Sequence, residues 1–102
     1  MARPLIASRE EFFRMLAETS AELDDLVKRE PTHPCWRGIQ EQLRAMTFWS
    51  AQGDPTPEQQ GRINIGLIVV RELEPAETPE LADLNSRLHL LNYAWRYWPP
   101  GK

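Results

Sequence analysis

A chain of 102 residues fits one domain, and its 41% hydrophobic content, with four Trp, three Phe and two Tyr, is enough for a core. A net charge of −3 argues against nucleic acid as a partner, since phosphate binding needs clustered Lys and Arg. The single cysteine, Cys35, excludes an internal disulfide, the N-terminus (MARPLIASREEFF) lacks the apolar run of a signal peptide, and Ile65 to Val70 is too short an apolar run to span a membrane, so a cytoplasmic location is expected.

The first predicted element is a helix from Arg9 to Arg29. Ser8 with Glu11 forms a capping box, each side chain answering a backbone N–H left open at a helix start. Phe12, Leu16, Leu23 and Leu26 recur at helical spacing. Lys28 and Arg29 suit the negative end of the helix dipole, and Pro31 stops it. The second helix is predicted from Pro34 to Ser50, capped by Thr32 or His33, with Pro34 in its first turn. Trp36, Ile39, Leu43, Met46 and Trp49 or Ser50 share one face. Gly53 and Pro55 end it.

The third opens on Thr56-Pro57-Glu58-Gln59, a cap, a first-turn proline and a capping-box glutamine together. It leads into Ile63-Asn64-Ile65-Gly66-Leu67-Ile68-Val69-Val70, whose β-branched residues favour a strand. The start signal and the length favour a buried helix from Pro57 to Leu73, with Gly66 allowing close approach of a neighbour. The fourth is capped at Thr78 with Pro79 in its first turn. Leu81, Leu84, Leu88, Leu91, Trp95 and Trp98 then form an a/d seam, widened by Leu90, Ala94 and Tyr97, and Pro99-Pro100-Gly101 ends it. The expected fold is all-α: an antiparallel bundle of about four helices in a single domain spanning 1–102.

The chemistry-bearing residues are few. His33, Cys35 and His89 match no zinc spacing and lack further ligands, so they read as a loop histidine, a small buried thiol and a helix-face histidine. There is no glycine-rich phosphate loop, no Gly-x-Ser-x-Gly and no His-Glu-x-x-His. No catalytic residue, metal or cofactor is assigned. Trp95 and Trp98 lie on the leucine seam and read as core, whereas Tyr93 and Tyr97 lie off it and are better interface candidates. Glu72, Glu74, Glu77, Glu80 and Asp83 form an acidic run around a turn. Its plain reading is a solvated helix start, with Glu80 favoured by the dipole. Partner binding is the leading functional alternative.

Gly66-x-Ile68-x-Val70-Arg71-Glu72-Leu73-Glu74, followed by Pro79-Glu80-Leu81 and a helix, resembles the small immunity proteins that protect bacteria from their own type VI secreted NAD(P)-degrading toxin. The upstream Gln42-Leu43 helix and Thr56-Pro57-Glu58 are similar too. The likeness covers about residues 34 to 97 and is best from 62 to 84. Two features depart from the pattern: a longer corner carrying Pro75, and a heavier aromatic end from Tyr93 to Trp98. The resemblance implies an all-helical protein without enzymatic activity that binds a cognate toxin domain and covers its dinucleotide-binding cleft. It would be a monomer or weak homodimer when free. Glu72, Glu74, Glu77, Glu80 and Asp83 are the expected contact surface, flanked by Arg71, Tyr93 and Tyr97. Two other classes remain beside it. One is a helical adaptor or a homodimer through the Leu81 to Trp98 seam. The other is an enzyme built around His33, Cys35 or His89.

Overall fold

The computed structural model describes residues 4–101; Met1 to Arg3, part of the segment read for a signal peptide, lie outside the described residues. Those residues are helical with no strand, as the sequence leads one to expect. Helix α1 spans Arg9–Arg29, α2 Trp36–Ser50, α3 Pro57–Gly61, α4 Ile65–Ile68 and α5 Pro79–Arg96; a π-helical turn, Val69–Leu73, continues α4. At 1.5 Å per residue α1 covers roughly 31 Å, and the molecule measures 34 Å along its longest axis. Helix α1 packs on both α2 and α5, while α4 and the π turn lie against α5.

Local signals set the helix ends. The Ser8 hydroxyl accepts from the Glu11 N–H at 3.0 Å, which is one half of the expected capping box. The other half differs: Glu11 Oε2 accepts from the Ala7 N–H at 3.2 Å, one residue upstream of the cap. At α3 both halves form, Gln59 N–H to Thr56 Oγ1 and Thr56 N–H to Gln59 Oε1. Helix α5 begins on Thr78, whose hydroxyl accepts from the Leu81 N–H. Helix α2 starts two residues later than expected. Cys35 is its cap and makes no side-chain bond, while His33 Nδ1 accepts from the Cys35 N–H at 3.2 Å.

The third segment is helical but not one helix, which corrects the continuous Pro57 to Leu73 reading. Ile63 and Ile65 are both buried. At 100° per residue a continuous helix would point them about 200° apart. The chain instead breaks at Asn64 (φ −132°, ψ 31°). Gln42 of α2 brackets the break, its Oε1 accepting from the Asn64 N–H at 2.9 Å and its Nε2 donating to Asn64 Oδ1 at 2.6 Å. Gly66 then meets α5 closely: its N–H donates to Asn92 Oδ1 at 2.9 Å, and an added Cβ would lie 3.4 Å from His89 Nδ1.

The α5 seam is spent inside the chain. Leu84, Leu88, Leu91 and Trp95 are fully buried, so a homodimer through the Leu81 to Trp98 seam would require the bundle to open. Trp95 lies between Phe12 and Trp49, near-parallel to both at 6.3 and 6.2 Å, with Trp98 edge-on at 5.9 Å. Thr19 completes the buried stripe of α1 between Leu16 and Leu23, and it serves Arg87. Arg87 also donates to Glu22 at 2.7 Å and to Asp83 at 2.8 Å, tying α1 to α5. Burial alone would lower the Arg87 pKa, but its two carboxylate partners raise it, so the guanidinium stays charged. Replacing Arg87 with Ala should cost about 1–3 kcal/mol in urea unfolding, because Thr19 loses its partner and the packed stem goes as well. Loss below about 0.5 kcal/mol would reduce the cluster to a surface ion pair.

Candidate functional site

The acidic run folds into the rim of a cleft. The π turn ends at Leu73, and Glu74 is extended (φ −111°, ψ 144°), so the chain leaves the helix and loops over the start of α5. Two side chains of α5 clip this corner down. Asn85 Nδ2 donates to the Leu73 carbonyl at 3.1 Å, and His89 Nε2 meets Glu74 Oε2 at 3.3 Å. Between the corner and the α1–α2 turn lies a cleft of about 300 Å³. Glu72, Glu74 and Glu77 line it from the corner, and Glu30 lines it from the end of α1. Its apolar wall is Trp36, Leu73, Pro75 and Leu81; His33 and Asn85 complete it, and no Lys or Arg is among the lining residues. His33 lies flat on Trp36, ring centroids 4.3 Å apart and planes 14° from parallel.

The predicted contact residues therefore divide. Glu72, Glu74 and Glu77 come together in the cleft. Glu80 is exposed on the first turn of α5, and Arg71 is exposed on the π turn. Asp83 is engaged with Arg87 on the α1 side of α5, so it is tied into the bundle. Tyr93 and Tyr97 are exposed and paired, ring centroids 4.7 Å apart. They line a separate groove of about 400 Å³ with Leu5, Ile6 and the Pro99-Pro100 segment. Tyr93 lies eight positions beyond Asn85, roughly 12 Å along the helix. Sequence reasoning missed Glu30, Trp36 and Asn85 as members of the cleft. Each sat in its own element as a helix end, a core face or a seam neighbour, and only the tertiary fold brings them to one place.

Two buried polar atoms at the cleft have no hydrogen-bond partner, Trp36 Nε1 and Asn85 Oδ1. Glu72, Glu77 and Glu30 form no ion pair with a described residue, in contrast to the paired Glu22, Asp54 and Glu58. Cys35 is buried beside this region, and burial pushes its thiol pKa up, with the negative charge of Glu72 adding to the effect. A raised thiol pKa leaves less thiolate at a given pH. Iodoacetamide should therefore alkylate Cys35 in the folded protein far more slowly than in the urea-unfolded chain between about pH 7 and 9. Glu72→Gln should speed alkylation only slightly, since burial is the larger cause. Equal rates folded and unfolded, followed by mass spectrometry, would contradict the buried placement.

His33 and Cys35 are bound to each other through the backbone of the α1–α2 turn, while His89 faces the Glu74 corner. No helix among the described residues is long and apolar enough to cross a membrane. Searches of curated proteins and of solved structures found no match. A protein-family model described as Tsi6 matches residues 11–95.

Proposed function

The chain belongs to the Tsi6 family of type VI secretion immunity proteins, and from that membership we propose that it binds and inhibits a cognate secreted toxin domain whose substrate is NAD(P). The protein acts in the cytoplasm, without chemistry of its own, by covering the toxin's active-site cleft. The observation that carries this reading beyond the family is the acidic cleft, where Glu30, Glu72 and Glu77 form no ion pair with a described residue and only Glu74 is engaged, by His89. Pockets that hold a dinucleotide present cationic and N–H donors to its phosphates. A protein surface that lines one cleft with several carboxylates competes for those donors. Opposite charge also speeds encounter, which suits an inhibitor that must capture toxin before it consumes the cell's cofactor.

The exposed apolar residues fit the same role. Leu67, Val70, Tyr93 and Tyr97 stand clear of the core, and aromatic anchors slow release once a complex has formed. Co-expression with a candidate toxin domain, sought first in the genes adjacent to this one, followed by calorimetry and an NAD(P) hydrolysis assay, tests the reading. Tight one-to-one binding with loss of hydrolysis is expected. A neighbouring toxin that neither binds nor is inhibited would overturn it, and a toxin that binds but hydrolyses no NAD(P) would overturn the substrate class alone.

A further inference from the structure

We propose that the outer face of α4, the π turn and α5 is one docking surface, an apolar strip with an arginine at each end. Its occupant is a surface of the toxin domain whose apolar centre is bordered by Asp or Glu side chains. The inference rests on the immunity reading for the identity of the partner, while the face itself sets the partner's chemistry.

The strip follows from how the helices are paired. Gly66 N–H donates to Asn92 Oδ1 and Asn85 Nδ2 donates to the Leu73 carbonyl, so α4 and the π turn run antiparallel to α5. Ile65 and Val69 take the buried side, which turns Leu67 and Val70 outward. On α5, Leu88, Leu91 and Trp95 are buried and Asn92 faces Gly66, while Tyr93 and Tyr97 come next around the helix, exposed. The order along the face is therefore Tyr97, Tyr93, Leu67, Val70. Arg96 stands beside Tyr97 at one end, and Arg71 follows Val70 at the other, both exposed. These four apolar side chains are the majority of the seven large ones exposed among the described residues. Scattered singly such residues need no explanation, but four in one strip mark an interaction surface.

Charge selects the occupant. The chain has 15 Asp and Glu, yet none lies in residues 59–71 or 84–101, the stretches that build this face. Arg62 is paired with Glu58, and Arg87 is turned toward α1 by Glu22. Arg71 and Arg96, by contrast, form no ion pair with a described residue; Arg96 only lies over the Tyr97 ring, 5.9 Å from its centroid. A second copy of the chain is a poor occupant. A two-fold axis along the strip or across it sets arginine opposite arginine, and like charges across an interface cost affinity. A partner with carboxylates around an apolar patch satisfies both ends, and guanidinium–carboxylate pairs are strong and directional. Tyr and Arg are also the residue types that dominate interface hot spots. The sign of the surface changes between Arg71 and Glu72, where the strip meets the acidic cleft. Opposite charges on adjoining surfaces fix one orientation of the partner.

The test is binding of the full chain and its variants to the candidate toxin domain, with the free chain examined alongside. Leu67→Ala with Tyr93→Ala should weaken binding at least about tenfold, mainly through faster dissociation. Arg71→Glu with Arg96→Glu should also weaken it at least about tenfold, by setting carboxylates against carboxylates. All four side chains are exposed, so the melting temperatures should stay within a few degrees. Phe48→Ala, an exposed apolar residue on α2, should bind as the unaltered chain does. Without toxin the chain should sediment as a monomer and should not float with vesicles of phosphatidylcholine and phosphatidylserine. A dimer, or vesicle binding, that Leu67→Ala with Tyr93→Ala abolishes would give the face to a second copy or to a membrane and overturn the proposal. Unaltered toxin affinity in both double variants would end this docking surface and leave the immunity reading standing. A candidate toxin domain that fails to bind the unaltered chain would end both.

Discussion

Trp95→Ala is expected to lower stability by about 3–5 kcal/mol, the largest loss of any single truncation in this chain. Trp95 is fully buried and joins the helices through its faces: Phe12 of α1 on one contact, Trp49 of α2 on another. Its edge carries a second load. The indole N–H donates to the Gln59 carbonyl at 3.0 Å, and Gln60 Nε2 donates to the carbonyls of Trp95 and Arg96. Short α3 has no buried residue of its own, so these bonds hold it against α5. Truncation opens a cavity and releases α3 together. With about 4–8 °C per kcal/mol for a domain this size, the melting temperature should fall by at least about 12 °C. Trp95→Phe separates the contributions, because it keeps a ring and removes only the indole edge and its bond. It should cost about 1–3 kcal/mol, leaving the Gln59 carbonyl without its donor. Urea midpoints with unchanged slopes measure both. A loss below about 1.5 kcal/mol for the alanine variant would show that the bundle closes without this residue.

The elements that the sequence predicts well are the ones governed by near neighbours. Ser8 and Thr78 each cap a helix through an N–H three residues away, so α1 and α5 are legible from single tetrapeptides. The break at Asn64 is not of that kind. It depends on Gln42, twenty-two positions earlier, and only the fold brings the two together. The local trace of the break was present all the same: Ile63 and Ile65 alternate like a strand, and that alternation recorded a segment unable to bury both as one helix. The strand signal misjudged the conformation and still marked the right place.

The site divides along the same line. Glu72, Glu74 and Glu77 were legible because they are consecutive acidic positions in a proline-marked turn. Tyr93 and Tyr97 were legible as exposed because they fall off the leucine seam. Asp83 was grouped with the acidic run, yet Arg87 four residues on was the local sign that it would turn inward to α1. Glu30 and Asn85 carried no comparable sign. A helix-terminal glutamate and a polar residue beside a leucine seam have many ordinary uses, and only their meeting across the α1–α2 turn gives the cleft its character.

Glu72→Arg with Glu77→Arg should weaken toxin binding at least about 100-fold, roughly 3 kcal/mol, if the acidic cleft is the contact surface. Reversal acts twice, since it removes attraction to the partner's cations and adds repulsion against them. Neither glutamate forms an ion pair with a described residue and both are exposed, so the melting temperature should stay within a few degrees. Asp83→Lys should behave in the opposite way, losing stability through Arg87 before it touches binding. Net charge is the confounding factor, because a less acidic protein meets a cationic partner more slowly wherever the change is made. Glu10→Arg with Glu18→Arg on exposed positions of α1 carries the same charge change away from the cleft. That control should slow association modestly, with the effect disappearing at high salt, while the cleft variant should mainly speed dissociation and keep its defect in salt. Equal, salt-sensitive losses in both pairs would reduce the corner to a long-range field. Undiminished binding in the cleft variant would move the interface elsewhere, with the groove beneath Tyr93 and Tyr97 the next surface to alter.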